Sequence, residues 1–184
     1  MRKSKDIYLM GLAIEAASRG TCDRFRAGCV VARDGIILTT GYNGSAPGDP
    51  HCDEVGHEIV SVQRFAKGET PPWSPLTFVE SQTEHCVRTI HAEINAIVNA
   101  AYVGVSLRNS DWYINGIPCM ACSRALARLR PRTLHLIDGY RNGSNLEWWR
   151  ERQSRLEVPK QILLYRKDDL CDANEGSPSF PPSG

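Results

Sequence analysis

Short apolar runs typical of β-strands alternate with segments of helical periodicity through most of this chain. The strand-like runs lie at 27–32, 36–40, 112–115, 133–137 and 161–165, and the helical segments at 5–19, 90–102, 119–129 and 146–155. Alternation of this kind places helices on both faces of a mixed sheet. The sequence therefore predicts an α/β fold. In the helix at 90–102, four side chains are expected to face the core: Ile94, Ile97, Val98 and Ala101.

A long polar segment interrupts this alternation. Residues 49–89 are rich in Pro, Gly and His, and one short helix is expected around 58–66. Connections of this length are usually functional, tethered or disordered. Because 184 residues suit one domain, we expect a single domain over residues 1–171 with this segment as an insertion. The Pro- and Ser-rich tail at 172–184 is predicted to be disordered.

Composition argues against several classes of function. The formal net charge is +1 at pH 7, which gives no reason to expect a large basic surface for nucleic acid. No apolar run reaches the length of a membrane span, and the charged N-terminus does not lead into a signal-peptide core. We therefore expect a cytoplasmic protein without membrane or nucleic-acid partners. In that compartment, metal explains seven cysteines better than disulfides do.

Two short motifs carry the chemistry, and each opens a predicted helix: His91-Ala92-Glu93 and Pro118-Cys119-Met120-Ala121-Cys122. Alone, the first is usually a surface or capping pair, and the second can be a redox pair or half of a zinc finger. Together they match the signature of zinc deaminases. Two thiolates and one imidazole form a three-ligand zinc set with a position open for water. We expect His91, Cys119 and Cys122 to bind a catalytic zinc ion.

Glu93 is the expected catalytic residue, because it lies beside the zinc ligands without being needed as one. Zinc lowers the pKa of water to about 7 in hydrolases, so water becomes nucleophilic near neutral pH. We expect Glu93 to move one proton from that water to N3 of a cytosine ring, and a second proton to the leaving ammonia. One carboxylate can serve both transfers because the attacking and leaving groups share the C4 carbon.

Over residues 16–164 the chain resembles the deoxycytidylate (dCMP) deaminases of bacteria and phages, in the cytidine deaminase-like superfamily. The strings that carry the resemblance are Thr21-Cys22, Gly41-Tyr42-Asn43-Gly44-Ser45, His51-Cys52, His85-Cys86-Val87-Arg88-Thr89-Ile90-His91-Ala92-Glu93-Ile94-Asn95-Ala96 and Pro118-Cys119-x-x-Cys122. The resemblance implies a three-layer α/β/α sandwich with a five-stranded mixed sheet. It implies zinc-dependent hydrolysis of dCMP to dUMP and ammonia, which supplies dUMP for thymidylate synthesis.

The resemblance also bears on assembly and regulation. It implies a homo-oligomer, often a hexamer, that dCTP activates and dTTP inhibits, with Mg²⁺ accompanying a triphosphate effector. The family loop usually has Pro directly after the position of Ser45, whereas here Ala46 intervenes. That loop is linked to the allosteric site, so this departure bears on regulation. The strand 114–117 also replaces a more usual Val- and Thr-rich stretch.

Four residues are suggested for nucleotide binding. Asn43 matches the family position that binds a sugar hydroxyl, although an Asn-Gly pair is also a common turn. Arg26 stands where members carry a basic residue, and Arg24 lies two positions before it. Either arginine could bind the 5′-phosphate or be a solvated surface residue. Tyr140 matches a tyrosine near the nucleotide phosphate, with a core-edge aromatic as the alternative.

A second set of potential ligands lies outside these two motifs. Some relatives carry a structural zinc, and the positions matching its ligands are Cys22, Cys52 and His85. A long insertion has little core of its own, so zinc could organise it. The fourth ligand is open, with Cys86 suggested and His51 and His57 as rivals. The alternative is that these are free buried thiols and surface histidines.

Other functions stay open at this point. The substrate could be dCTP or a 5-substituted dCMP. A transfer-RNA deaminase would need a basic, aromatic-lined surface for a flipped base, which the net charge does not suggest. A non-catalytic zinc module would have closed four-ligand sites and no use for the carboxylate of Glu93.

Overall fold

A mixed β-sheet runs through the part of the chain that the computed structural model describes, namely residues 2–62, 83–137, 143–166 and 170. In chain order the elements are α1 (Lys5–Ala17), β1 (Gly28–Arg33), β2 (Ile36–Tyr42), α2 (Cys52–Val55), β3 (Ile59–Val62), β4 (Thr83–Cys86), α3 (Ala92–Tyr102), β5 (Asp111–Ile114), α4 (Met120–Leu129), β6 (Thr133–Ile137), α5 (Gly143–Leu156) and β7 (Gln161–Tyr165). Five strands pair in the order β2-β1-β5-β6-β7, and β3 pairs with β4. In the larger sheet, β1 is antiparallel to both neighbours, whereas β5, β6 and β7 are parallel.

Helices cover both faces of the five-stranded sheet. On one face α1 packs against a core that includes Val30 and Ala32 of β1. On the other face α3, α4 and α5 enclose a larger core that includes Cys29 and Val31. This alternation along β1 is the period of two that a strand requires. The arrangement confirms the predicted three-layer α/β/α sandwich with a five-stranded mixed sheet.

The helix α3 lies close against β2 because small residues line the contact. A Cβ placed on Gly41 would lie 2.2 Å from the carbonyl oxygen of Ala92 and 2.6 Å from the nitrogen of Ala96. The predicted buried face of this helix is therefore wrong in the main, since the buried side carries the alanines and Glu93, and of the predicted residues Ile97 packs against the larger core. The residues named for it are half-buried or exposed: Ile94, Ile97, Val98 and Ala101. The helix carries apolar residues on more than one side, so periodicity alone does not identify the face that it buries.

The described part of the 49–89 segment contains the short helix α2 and the hairpin-like pair β3-β4. Residues 59–62 form a strand, so the helix predicted around 58–66 is wrong there. The β-branched side chains in Ile59–Val62 favour an extended chain. Its partner Thr83–Cys86 lies more than twenty residues away, which a local pattern cannot reveal. Residues 63–82 and the tail at 172–184 lie outside the described residues.

Two smaller points complete the fold. The strand β2 continues to Tyr42, beyond the predicted end at residue 40. Among the described residues, no helix is both long and apolar enough to cross a membrane.

Candidate active site and metal clusters

Two helix starts meet beside the carboxyl end of β5. His91 is the N-cap residue of α3, and Cys119 is the N-cap residue of α4. The Nδ1 atom of His91 lies 3.4 Å from the Sγ atoms of both Cys119 and Cys122. The two cysteines are three positions apart at one helix start, so their sulfurs face the same side. We call His91, Cys119 and Cys122 cluster 1.

The geometry of cluster 1 fits a tetrahedral zinc ion. With Zn–S of about 2.3 Å and Zn–N of about 2.0 Å, sulfur and nitrogen ligands are about 3.5 Å apart, close to the 3.4 Å seen here. Among the described side chains, three donors come together, and each offers one ligand atom. A tetrahedral ion bound by three protein ligands keeps one position for water or substrate.

The charges of cluster 1 also suit a cation. The hydrogen bond from Cys122 lowers the pKa of Cys119 to about 3. The same contact, followed by burial, raises the pKa of Cys122. The hydrogen bond with Cys119 raises the pKa of His91. One thiolate is thus already stabilised between the two other donors, and the exposed N–H groups at the helix starts favour negative charge there.

Glu93 lies in the first turn of α3, beside cluster 1. Its side chain is only 5% exposed. Burial raises the pKa of its carboxyl. The carboxyl also lies within hydrogen-bonding reach of the Cys122 thiol. A buried carboxyl with a raised pKa beside a metal position is suited to accept a proton and to return it.

A second group of donors lies where the insertion meets the rest of the chain. Cys22 follows α1, Cys52 opens α2, His57 follows α2 and Cys86 ends β4. Their ligand atoms all lie within 4.8 Å of one another. We call these four residues cluster 2. The Sγ atoms of Cys52 and Cys86 are 3.7 Å apart, close to the separation of about 3.8 Å expected for two sulfurs on a tetrahedral zinc ion.

Cluster 2 brings together three of the four residues suggested for a second metal site. The fourth described donor is His57, which the sequence analysis treats as a rival. His85 lies in β4 opposite Val60, and its side chain is outside the described part of the structure. Among the described side chains, His51 is not a donor of cluster 2. The spacing Cys52-x₄-His57 is the sequence signal that favours His57.

The hydroxyl of Thr89 contacts two sulfurs of cluster 2, a role that the sequence analysis missed. Thr89 is 8% exposed, and its Oγ1 lies 3.1 Å from the Sγ of Cys52 and 3.8 Å from that of Cys86. Burial opposes ionisation of Cys86, but hydrogen bonds with His57, the backbone of Glu58, Thr89 and Cys52 bring its pKa down to about 6. Burial raises the pKa of Cys52 to about 11.

The loop after β2 is fastened to the start of α3. Gly44 and Ile90 exchange two backbone hydrogen bonds, of 3.1 and 2.9 Å. The preceding residue, Asn43, is 5% exposed. Its Oδ1 accepts from the nitrogen of Ala27 at 2.8 Å, and its Nδ2 donates to the oxygen of Phe25 at 2.7 Å. One N–H and one lone pair of this amide remain for a further partner.

Comparison with known proteins identifies the family. Residues 3–137 match the family described as the cytidine and deoxycytidylate deaminase zinc-binding region. The matched region contains every residue of clusters 1 and 2. This protein belongs to the cytidine and deoxycytidylate deaminase family. Membership confirms that the chain contains a zinc-binding deaminase domain.

Relatives of this chain include proteins from a bacterium and from phages. The deoxycytidylate deaminase of Mycobacterium phage D29 is 33% identical over 129 residues, which cover 68% of this chain and 88% of the phage protein. ComE operon protein 2 of Bacillus subtilis is 29% identical over 140 residues, or 76% of this chain. The chain spans 62% of the length of that bacterial protein.

A solved structure supports the same fold. The dCMP deaminase of cyanophage S-TIM5, solved in complex with dCMP and dUMP, has a TM-score of 0.61 and 20% sequence identity. The similarity covers 90% of this chain and 98% of the cyanophage chain. It confirms the cytidine deaminase-like fold.

The arginines suggested for substrate binding lie between α1 and β1. Both Arg24 and Arg26 are exposed. Asn115, at the end of β5, holds this segment: its Oδ1 accepts from the nitrogen of Gly28 at 2.9 Å, and its Nδ2 donates to the oxygen of Arg26 at 3.0 Å. The sequence analysis missed Asn115, although an amide shortly before the Pro-Cys motif is a departure from the family pattern. Tyr140 lies outside the described residues.

Proposed function

We propose that this protein hydrolyses dCMP to dUMP and ammonia, with catalytic zinc bound by cluster 1. The observation that carries the proposal is a buried carboxyl, Glu93, beside three donors whose spacing fits zinc. The relatives support the choice of nucleotide. The phage D29 protein is named a deoxycytidylate deaminase, and the cyanophage enzyme is a dCMP deaminase solved with dCMP and dUMP.

The residues divide the chemistry between them. Zinc held by cluster 1 supplies a Lewis acid that makes water nucleophilic at neutral pH. The carboxylate of Glu93 takes a proton from that water and delivers it to N3 of the cytosine, which makes C4 electrophilic. Water adds at C4. Glu93 then carries the proton of the hydroxyl on C4 to the amino nitrogen, which leaves as ammonia while C4 becomes a carbonyl carbon. The burial of Glu93 supports this role, because it raises the pKa of the carboxyl and so makes the protonated form easier to reach during the reaction.

Selection of a nucleotide over a nucleoside rests on the 5′ end. We assign Arg26, with Arg24 and Tyr140 as further candidates, to the phosphate, because a guanidinium can form two charge-assisted hydrogen bonds with phosphate oxygens. Asn43 is assigned to a sugar hydroxyl through the amide groups that the backbone leaves free. The hydrogen bonds of Asn43 and Asn115 to the segment 25–28 support this assignment, since they fix the backbone that carries Arg26.

A structural zinc at cluster 2 is part of the proposal. Four donors are the full complement of a closed tetrahedral site. The described donors come from three separate stretches of chain, and a metal there would join the segment after α1 to the insertion and to the approach to α3. Such a site stabilises a segment that has little apolar core.

Assembly and regulation are further parts of the proposal. We infer a homo-oligomer, of six subunits by family resemblance, with dCTP and dTTP as effectors and Mg²⁺ accompanying the triphosphate. Exposed apolar side chains on and after α3 support a partner subunit at that face: Val98 at 55%, Tyr102 at 91% and Val103 at 63% exposure. Light scattering with and without each triphosphate measures the state.

An ammonia-release assay tests the activity directly. Zinc-loaded protein is given dCMP, dCTP, deoxycytidine or a transfer RNA in separate reactions, with Glu93→Gln as the control for contaminating activity. We expect rapid turnover of dCMP that the control lacks. Preference for transfer RNA or for the nucleoside would overturn the proposal, and equal inactivity on all four would favour a non-catalytic module.

A further inference from the structure

The imidazole of His57 lies between a carboxylate and the sulfurs of cluster 2. Its Nε2 is 2.8 Å from Oδ1 of Asp23. Its Nδ1 is 3.8 Å from the Sγ of Cys22. The His57 side chain is 22% exposed and that of Asp23 is 63% exposed. One ring nitrogen therefore faces the donor set while the other faces a carboxylate at the surface.

This arrangement selects one state of the ring. A neutral imidazole has one N–H donor and one nitrogen that can accept or ligate. A carboxylate accepts hydrogen bonds, so Asp23 favours the tautomer of neutral His57 with its proton on Nε2, and the lone pair of Nδ1 can then bind a metal. Carboxylates placed in this way fix the ring orientation of a metal-binding histidine and make it a better ligand.

We propose that Asp23 is a positioning residue for a metal ion at cluster 2, acting through His57. The inference rests on the zinc proposed for cluster 2 and adds the group that prepares its histidine ligand. Asp23 directly follows Cys22, so one short stretch of chain supplies both a ligand and the partner that orients another ligand. Removing the carboxylate frees the ring to rotate or to change tautomer, and zinc is then held less tightly.

A plain surface ion pair is the competing explanation. Exposed pairs of this kind contribute little to stability. Such a pair would tie two segments together without influencing the metal. The two explanations differ in what happens to zinc retention and to the ligand field, which are measurable apart from activity.

The experiment compares Asp23→Ala and Asp23→Asn with Asp53→Ala and Asp53→Asn in the full-length, zinc-loaded protein. Asp53 follows Cys52 as Asp23 follows Cys22, and its side chain is exposed, so it is a matched control for loss of a charge beside a ligand. Zinc release to a chromogenic chelator is followed under native conditions. We expect one of two zinc ions to leave about 10–100-fold faster from Asp23→Ala. Asp23→Asn should show a smaller effect, because its amide oxygen still accepts from Nε2, and the Asp53 variants should match the wild type.

Cobalt(II) in place of zinc gives a second readout. The visible bands of cobalt bound by thiolates report on its ligands, so Asp23→Ala should shift the bands of cluster 2 while Asp53→Ala leaves them unchanged. If the wild type holds two zinc ions but Asp23→Ala and Asp53→Ala release them alike, the positioning role is wrong and the metal site stands. If the metal-replete wild type holds one zinc ion, the cluster 2 site itself is wrong.

Discussion

Asn115 donates a hydrogen bond of 3.0 Å from its Nδ2 to the main-chain oxygen of Arg26. The same amide accepts from the nitrogen of Gly28, and Asn115 lies four residues before Cys119 along the chain. The strand end that leads to cluster 1 therefore also fixes the backbone of the residue assigned to the substrate phosphate. A change at Asn115 should alter substrate binding without touching a metal ligand.

We expect Asn115→Ala to lower kcat/KM for dCMP by up to about 30-fold, mainly through a higher KM, because two hydrogen bonds of about 1 kcal/mol each that fix the backbone of Arg26 are lost. Steady-state kinetics on dCMP and deoxycytidine measures this, and the nucleoside should be less affected. Asn99→Ala is the control, since Asn99 also donates to a backbone oxygen, that of Thr40, on the outer face of α3. Equal losses in both variants would refute the link between Asn115 and the phosphate.

Replacing Glu93 should separate chemistry from metal binding. Glu93→Gln keeps the size of the side chain but cannot carry a proton. Turnover should fall by about 10²–10⁴-fold or more, which is the contribution of a general acid–base group. Zinc content, measured by atomic emission, should be unchanged. Cys119→Ser and His91→Ala should instead lose the zinc of cluster 1. Near-normal turnover in Glu93→Gln would rule out the proposed proton carrier.

Arg26→Ala should reduce the preference for nucleotide over nucleoside. A charge-assisted hydrogen bond is worth about 1.5–3 kcal/mol, so two of them favour dCMP over deoxycytidine by about 10²–10⁴ in kcat/KM. The variant should lose part of this factor on dCMP and little on deoxycytidine. Arg155→Ala, which removes an exposed arginine paired with Glu151 on α5, is the control. An unchanged preference in Arg26→Ala would transfer the assignment to Arg24 or Tyr140.

Metal analysis should distinguish the two clusters. Purified wild-type protein is expected to contain two zinc ions per chain. Cys22→Ser or Cys52→Ser should reduce the count by one and leave the zinc of cluster 1 in place, because the two clusters share no ligand. Loss of both ions from either variant would show that the clusters are not independent.

The close contact of α3 with β2 predicts a sharp contrast between two Gly→Ala changes. Gly41→Ala should destabilise the protein by about 1–3 kcal/mol or more, because its Cβ would overlap the backbone of Ala92 and Ala96. Gly11→Ala, in the interior of α1 with nothing within 4 Å of the added atom, should stabilise it by about 0.5–1 kcal/mol. Urea unfolding of the zinc-loaded proteins gives both values. Equal stability of Gly41→Ala and the wild type would contradict the packing described for α3.

Features set by neighbours in sequence could be predicted. The helix starts at His91 and Cys119 follow from local motifs, and the order of strands and helices from local periodicity. The layered sheet then follows because these elements can bury their apolar faces in few ways. Cluster 1 was predictable for the same reason, since two of its ligands share one helix start.

Features set by distant contacts could not be predicted in the same way. The face that α3 buries depends on Gly41, some fifty residues earlier. The strand Ile59–Val62 depends on a partner beyond residue 82. The place of His57 in cluster 2 depends on three separate stretches of chain meeting, so the sequence alone did not distinguish it from the other candidate histidines.

The donors of the two clusters do not interleave along the chain. Those of cluster 2 end at Cys86, and those of cluster 1 begin at His91. The ribosome synthesises a chain from its N-terminal end, at about 5–20 residues per second. A growing polypeptide therefore completes the four donors of cluster 2 before the last cysteine of cluster 1 has left the ribosome. The order of synthesis therefore allows the ion proposed for cluster 2, which would organise the insertion, to bind before the catalytic ion proposed for cluster 1.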